Sequence, residues 1–287
     1  MQITVMSDTI LELFTHPTTQ NLDWQQIVEQ QYCSLLNRTC VKIRKSQPNI
    51  AIGTCSVQYG TDNPQNIIIC PHRFLERGQI FMDCIHLLTL HEPGNELHKI
   101  SEVEIPGGSV DYFLVSVRDG KVADFVGIEL QALDTTGTVW PFRQKFLADV
   151  GVLPGESVEE FKPFGMNWKM TAKTTLVQMH HKIETFENLG KHLVLVLQDS
   201  LMNYMRKEFN FAHIQDAKLG HAMHFHAYGL DKHDDSLNYR LKLNSRASTD
   251  AVGISQALGL QASANVELEI IIALLQRRVS DNTLLKI

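Results

Sequence analysis

A chain of 287 residues with 44% hydrophobic and 20% charged positions has an ordinary globular composition, enough for one large domain or a domain with a small appendage. It holds no run of about 18 apolar residues and no basic, apolar leader, so neither a membrane span nor a secretory signal is expected and the cytoplasm is the default compartment. The net charge of −6 argues against indiscriminate nucleic-acid binding, which needs locally concentrated Lys and Arg. A basic cleft drawing on Lys169, Lys173, Arg206 and Lys207 stays open, although solvated helix faces are the commoner fate of such residues.

In chain order, helices are expected near Ser7 to Thr15 and Asp23 to Leu36, then irregular strands at Gly53 to Tyr59 and Asn66 to Cys70. Four of the five cysteines fall in this zone: Cys33, Cys40 after six residues, Cys55 after fourteen, and Cys70 after fourteen more, in Cys70-Pro-His-Arg-Phe74. Disulfides are disfavoured in the cytoplasm, so the four thiols are candidates for a tetrahedral Zn²⁺ or iron site, in competition with buried, inert cysteines. His72 is an outside candidate to replace one ligand. Short, turn-rich strands bury little core, and a metal crosslink would help to hold them. On these grounds residues 1–73 form an N-terminal helical and four-cysteine region, and residues 74–287 the main domain with a C-terminal sheet and helices.

A helix is expected from Phe74 to about Leu90 and a strand from near Ile100. In Ser101-Glu-Val-Glu-Ile-Pro106, Glu102 and Glu104 share a strand face. Two short apolar runs follow, Pro106-Gly-Gly-Ser-Val-Asp-Tyr-Phe-Leu-Val115 and Asp124-Phe-Val-Gly-Ile-Glu-Leu-Gln-Ala132, joined through Asp119-Gly120, a hairpin turn signal. Antiparallel pairing brings Asp111 toward Glu129, and the two-residue strand period puts Glu129 and Gln131 on one face. Charge inside apolar strands is costly unless paired or metal-bound. Carboxylates so placed can hold a divalent ion such as Mg²⁺ against a scissile phosphate. Either Glu102 or Glu104 is available to join them, the alternative being two solvent-facing residues of an edge strand.

Beyond the hairpin the pattern reads as a helix from Trp168 to about Glu187, a buried strand Lys191 to Asp199, a helix near Ser200 to Phe209, a strand Leu237 to Leu243, a short helix Asp250 to Leu258 and an apolar helix Ala264 to Arg278. The last of these completes the core or buries part of a dimer interface. His224 and His226 share a strand face and tempt a second metal assignment, but no third ligand is evident nearby, and adjacent His180 and His181 point differently on their helix. Gln198 and Asp199 close a strand, where a polar cap is the ordinary reading.

The Asp111 and Glu129-x-Gln131 arrangement resembles the PD-(D/E)xK nuclease superfamily, with Gln131 where that superfamily usually has lysine. An amide carries no positive charge, though it can orient water or a metal ligand. Glu129-Leu-Gln-Ala-Leu-Asp-Thr-Thr-Gly137, the four cysteines, Cys70-Pro-His-Arg-Phe74 and Glu102-Val-Glu-Ile-Pro-Gly-Gly-Ser-Val-Asp-Tyr112 together resemble the NotI-type restriction endonucleases, most strongly from about Cys33 to Gly137. The resemblance implies an α/β (α+β) fold with a mixed central sheet flanked by helices. It also implies a type II endonuclease that uses Mg²⁺ to hydrolyse double-stranded DNA at a specific sequence, a palindromic target favouring a homodimer. Carried over by residue, it implies Asp111, Glu129 and Gln131 at the reaction centre with Glu102 as a fourth member, Asp111 and Glu129 as Mg²⁺ ligands, and Cys33, Cys40, Cys55 and Cys70 as ligands of one structural iron or zinc. Competing readings are a metal-stabilised DNA-binding module with structural carboxylates, and a nuclease of repair or recombination.

Overall fold

A computed structural model describes residues 9–153, 163–232 and 238–260. The expected helix from Ala264 and the strand residue Leu237 lie outside the described residues. The first element is a strand, β1 (Thr9–Leu13), where the sequence pattern suggests a helix from Ser7 to Thr15. So short an apolar run cannot separate the two periods, and partners decide. Ile10, Leu11 and Leu13 are buried, and Glu12 is buried with them because Ser56 and Arg73 meet its carboxylate. With β2 (His16–Pro17), β3 (Thr54–Tyr59) and β4 (Gln65–Ile68) it builds an antiparallel sheet in the order β2-β1-β3-β4.

The helix expected from Asp23 to Leu36 stops early. In α1 (Trp24–Gln30) the Asp23 side chain caps the Gln26 amide at 3.0 Å, and Gln31 turns left-handed at φ 48° to end the helix. Two tight hairpins follow, Tyr32–Cys33 with Arg38–Thr39 and Ile43–Arg44 with Gln47–Ala51. The helix expected from Phe74 to Leu90 is also broken, into 3-10 turns at Pro71–Gly78 and Ile85–Leu87 around a single α turn, Gln79–Met82. Arg77 and Gly78 take φ of 53° and 65°, which interrupts any continuous helix. The breaks let Phe74, Leu75, Ile80, Phe81, Cys84, Leu87 and Leu88 all reach one face of the central sheet.

Among the described residues that sheet has seven strands. Its elements in the chain are β5 (Glu96–Ile105), β6 (Gly108–Arg118), β7 (Lys121–Gln131), β8 (His192–Gln198), β9 (Gln215–Asp216), β10 (Met223–Lys232) and β11 (Tyr239–Thr249). Their spatial order is β9-β11-β10-β8-β7-β6-β5. Pairing is antiparallel except that β8 runs parallel to both neighbours, so the expected mixed sheet is present. Helices α2 (Trp140–Asp149), α3 (Trp168–Asn188), α4 (Asp199–Glu208) and α5 (Ala251–Ala257) accompany it. Strand β8, crossed over to by a helix and buried throughout, has the continuous apolar run that parallel strands require.

Two apolar clusters sit on the two sides of the sheet. One joins Phe113, Val115 and Leu195 to Leu176, Met179, Ile183 and Phe186 of α3, and continues into Leu13, Trp24, Val57 and Ile67 of the N-terminal part. The other sets the broken helical segment against Val126, Ile128, Leu130, Val194, Val196 and Tyr228. The packing therefore runs across the expected boundary at residue 73. Among the described residues no helix is long and apolar enough to cross a membrane.

Candidate active site

The hairpin joining β6 to β7 turns at Asp119-Gly120, both at positive φ (49° and 72°), the geometry of a two-residue primed turn. Its register pairs Tyr112 with Ile128 and so sets Asp111 opposite Glu129 at the end of the ladder. The Leu130 amide donates to Asp111 Oδ2 at 2.8 Å, which fixes one oxygen of that carboxylate from the neighbouring strand. Asp111 lies within β6, three residues past its start.

Helix α3 covers this end of the sheet because of two glycines. A Cβ on Gly107, at φ 97°, would lie 2.1 Å from the His181 carbonyl oxygen, and one on Gly127 would lie 2.4 Å from the Phe186 ring. The close approach presents one helix flank, Thr175, Gln178 and Lys182, to Glu129 and Gln131. Thr175 Oγ1 donates to Gln131 Oε1 at 2.9 Å, and Gln131 Nε2 donates to the Ala132 carbonyl at 2.6 Å. Lys182 Nζ donates to Glu129 Oε1 at 2.6 Å and to the Ser109 carbonyl at 2.5 Å. These residues, with Ser109, Asp111, Leu130, Met179 and Leu195, line a cavity of about 240 Å³.

Burial raises the Glu129 pKa to about 7, against the hydrogen bond from Lys182, and the charge of Asp111 pushes in the same direction as burial. Two carboxylates that repel across a cleft form a place where a cation lowers the energy of both. Among the described residues no three Cys, His, Asp or Glu side chains converge on a point. A pair suffices for Mg²⁺, which takes one or two carboxylates and completes its octahedron with water and phosphate oxygens. Asp111 and Glu129 fit that ion.

Glu102 and Glu104 are exposed on β5 and do not line the cavity. The pairs Val110 with Val103 and Tyr112 with Ser101 set Glu102 opposite Asp111. Glu102 also takes a left-handed φ of 54°. Burial lowers the His72 pKa, which the charge of Arg38 lowers further and those of Asp111 and Glu102 raise, so these groups feel one another at the sheet margin. Lys169, Lys173, Arg206 and Lys207 are all exposed, the first two on α3 and the others in the last turn of α4.

The four cysteines are free thiols, Cys33, Cys55 and Cys70 buried and Cys40 half-buried. They share a neighbourhood: burial raises the Cys55 pKa, helped by Cys70, Glu12 and Cys33, and burial raises that of Cys70 too, with Cys40 and Cys33 contributing. The side chains as placed do not converge into the tetrahedron that a structural zinc or iron needs. His224 and His226 lie on β10, His226 against Cys84 and His86 and His224 against His192, and among the described residues His224 Nδ1 and His226 Nε2 have no hydrogen-bond partner. They form no metal-holding group among the described residues either. Gln198 ties two sheets together, its Oε1 accepting from the Ile68 amide at 2.9 Å, so it acts as a strut.

Lys182 and Thr175 are site residues that the sequence pattern does not single out. The available signal was their phase: Thr171, Thr175 and Lys182 follow one flank of α3 beside the apolar Ala172, Leu176, Met179, Ile183 and Phe186, and all of them are buried. A family model, restriction endonuclease NotI, matches residues 32–236, a span that contains the four cysteines, the two hairpin carboxylates, Gln131 and Lys182. No curated protein matches the chain.

Proposed function

The chain belongs to the NotI restriction endonuclease family, a family of type II site-specific deoxyribonucleases, and from that premise we propose that it hydrolyses double-stranded DNA at a specific sequence in a reaction dependent on Mg²⁺, at the cleft of Asp111, Glu129 and Gln131. The observation that carries the reading is that two adjacent strands deliver Asp111 and Glu129 to one cavity, with an ordered amide beside them. Asp111 and Glu129 would hold the ion. When bound, it lowers the pKa of a water and offsets charge growing on the phosphate.

The chain's own residues do the rest. Asp111, pinned through Oδ2, leaves Oδ1 without a protein acceptor or donor among the described residues and available to the cleft. Gln131 spends one N–H on Ala132 and one lone pair on Thr175, and its second N–H and second lone pair can orient a water. Glu102, opposite Asp111 on the neighbouring strand, is placed to add a carboxylate at the margin, with Glu104 the alternative.

The fold belongs, on this reading, to the PD-(D/E)xK type, with residues 1–73 as the N-terminal helical and four-cysteine region and residues 74–287 as the nuclease domain. Cys33, Cys40, Cys55 and Cys70 would hold one iron or zinc per chain. Four reduced thiols in one electrostatic neighbourhood support this, and their side chains would have to turn inward and lose protons on binding. A homodimer acting in the cytoplasm suits a palindromic target.

Digestion of a defined plasmid with Mg²⁺ tests the function, and mapped ends should fall at one repeated sequence. Asp111→Ala should abolish cleavage while retaining the fold and DNA binding, and an unchanged digest would sink the assignment. Fragments arising only at ends or branches would favour a repair or recombination nuclease. Elemental analysis of the purified protein should find one tightly held iron or zinc per chain, and none would defeat the cysteine proposal.

A further inference from the structure

We infer that Lys182 is a positioning residue for phosphodiester hydrolysis, acting through Glu129 and the Ser109 backbone to hold the two hairpin carboxylates at a fixed spacing. The inference rests on the nuclease reading above. Lys182 is buried, and its ammonium has two protein acceptors, Glu129 Oε1 at 2.6 Å and Ser109 O at 2.5 Å. Ser109 precedes Asp111 by two residues on β6, and Glu129 lies on β7, so a single cation on α3 bridges both strands that carry the carboxylates.

Stability alone does not account for a lysine here. A buried ion pair adds little over well-packed apolar side chains of the same volume, and the next residues along this face, Met179 and Phe186, show that α3 packs apolar groups readily. An ammonium has three donors, and Lys182 has no third protein acceptor among the described residues while it lines the cavity. Gln131 is neutral, so among the described residues Lys182 is the one cationic side chain in the cavity wall. Charge at this position comes from the helix, where the strand has an amide.

The test compares Lys182→Met, Glu129→Gln and the double variant in single-turnover cleavage of plasmid DNA with Mg²⁺, with binding of the same DNA measured without divalent ions. Lys182→Met should slow cleavage by more than about tenfold with DNA affinity within about twofold. Because Lys182 acts through Glu129, the double variant should cleave no more than about twofold slower than Glu129→Gln alone. Cleavage by Lys182→Met within about tenfold of the native rate overturns the inference, and so does a double variant whose loss equals the product of the two single losses. Should Lys182→Met fail to fold, Lys182→Leu replaces it, since it also removes both donations on an otherwise apolar helix face, and the same thresholds apply. Asp111→Ala separates the two levels: if it is inactive while Lys182→Met is active, only the lysine inference fails, and if it is active the nuclease site itself is misplaced.

Discussion

Two buried ion pairs of the same kind, a strand carboxylate and a cation from a helical segment, end in opposite states. Around Glu12 and Arg73 each guanidinium nitrogen finds an acceptor: Nε donates to Glu12 at 2.8 Å, Nη1 to Glu76 at 2.9 Å, Nη2 to the Tyr239 carbonyl at 2.9 Å, and Ser56 donates to Glu12 at 2.6 Å. Burial works against the Arg73 charge, and Glu12 and Glu76 outweigh it, so its pKa rises above the ordinary value. Around Glu129 and Lys182 the pair borders a cavity, and burial outweighs the lysine, so the carboxylate pKa rises instead. A closed pair fastens β1 and β11 to the segment after Cys70, and an open one keeps a charge in reserve for something that enters the cleft.

The difference predicts opposite mutational signatures. The largest effect expected is on cleavage: Glu129→Gln, which keeps an acceptor for Lys182 and removes the charge, should cut the rate by about 10³-fold, equivalent to about 4 kcal/mol of barrier, with the melting temperature unchanged or higher. The contrast breaks if that variant melts early and cleaves normally. Next, Arg73→Ala should cost about 3–5 kcal/mol of stability because it strands Glu12 in the core, while the fraction that stays folded cleaves at the native rate. Urea unfolding followed by circular dichroism measures the first quantity, and cleavage below the transition measures the second.

These two pairs also mark how far the sequence could be read. The hairpin was legible, because Asp119-Gly120 has the chemistry a primed turn demands and the flanking runs are apolar, and so was the pairing that sets Asp111 against Glu129. The strand at Thr9–Leu13 was not, since the reason Glu12 can be buried is an arginine 61 residues away. Lys182 was hidden the same way, its partner lying 53 residues back on another strand. The break at Arg77 and Gly78 was missed because an apolar stretch with helical spacing carries no sign that it must bend to reach the sheet. Pairing, turn chemistry and local periodicity are written locally, whereas the partners of buried charges are not.

Two buried histidines give a further, pH-dependent effect. Burial lowers the pKa of His224 to about 4, with His192 adding to it, and that of His226 to about 3, with Arg246 adding to it. Both folded values lie below the unfolded value of 6.5. The unfolded chain therefore binds more protons over this range, and the stability these histidines contribute is complete above pH 6.5 and is lost as the pH falls toward 4 and 3. The expected slope is about 1.4 kcal/mol per pH unit for each histidine. Urea midpoints between pH 7 and pH 5 should fall in the native chain, and His226→Leu should flatten the curve. An equal slope in that variant would mean that its imidazole protonates freely, and that the pocket with Cys84 and His86 is wetter than the packing shows.

The smallest effect should fall on the ordered amide. Thr175 has one hydroxyl proton and two acceptors, Gln131 Oε1 at 2.9 Å and the Thr171 carbonyl at 2.7 Å, so its hold on Gln131 is shared with the helix backbone. A shared neutral hydrogen bond is worth about 0.5–1.5 kcal/mol, and Gln131 keeps its contact with the Ala132 carbonyl at 2.6 Å when the hydroxyl is gone. Thr175→Val removes the donor at nearly constant volume and should slow cleavage by about two- to tenfold, with DNA affinity unchanged. A hundredfold loss would put Gln131 at the centre of the reaction with Thr175 as its chief anchor. No loss at all would mean that the amide is held from Ala132 alone, leaving Lys182 and the two carboxylates as the groups whose placement the cleft depends on.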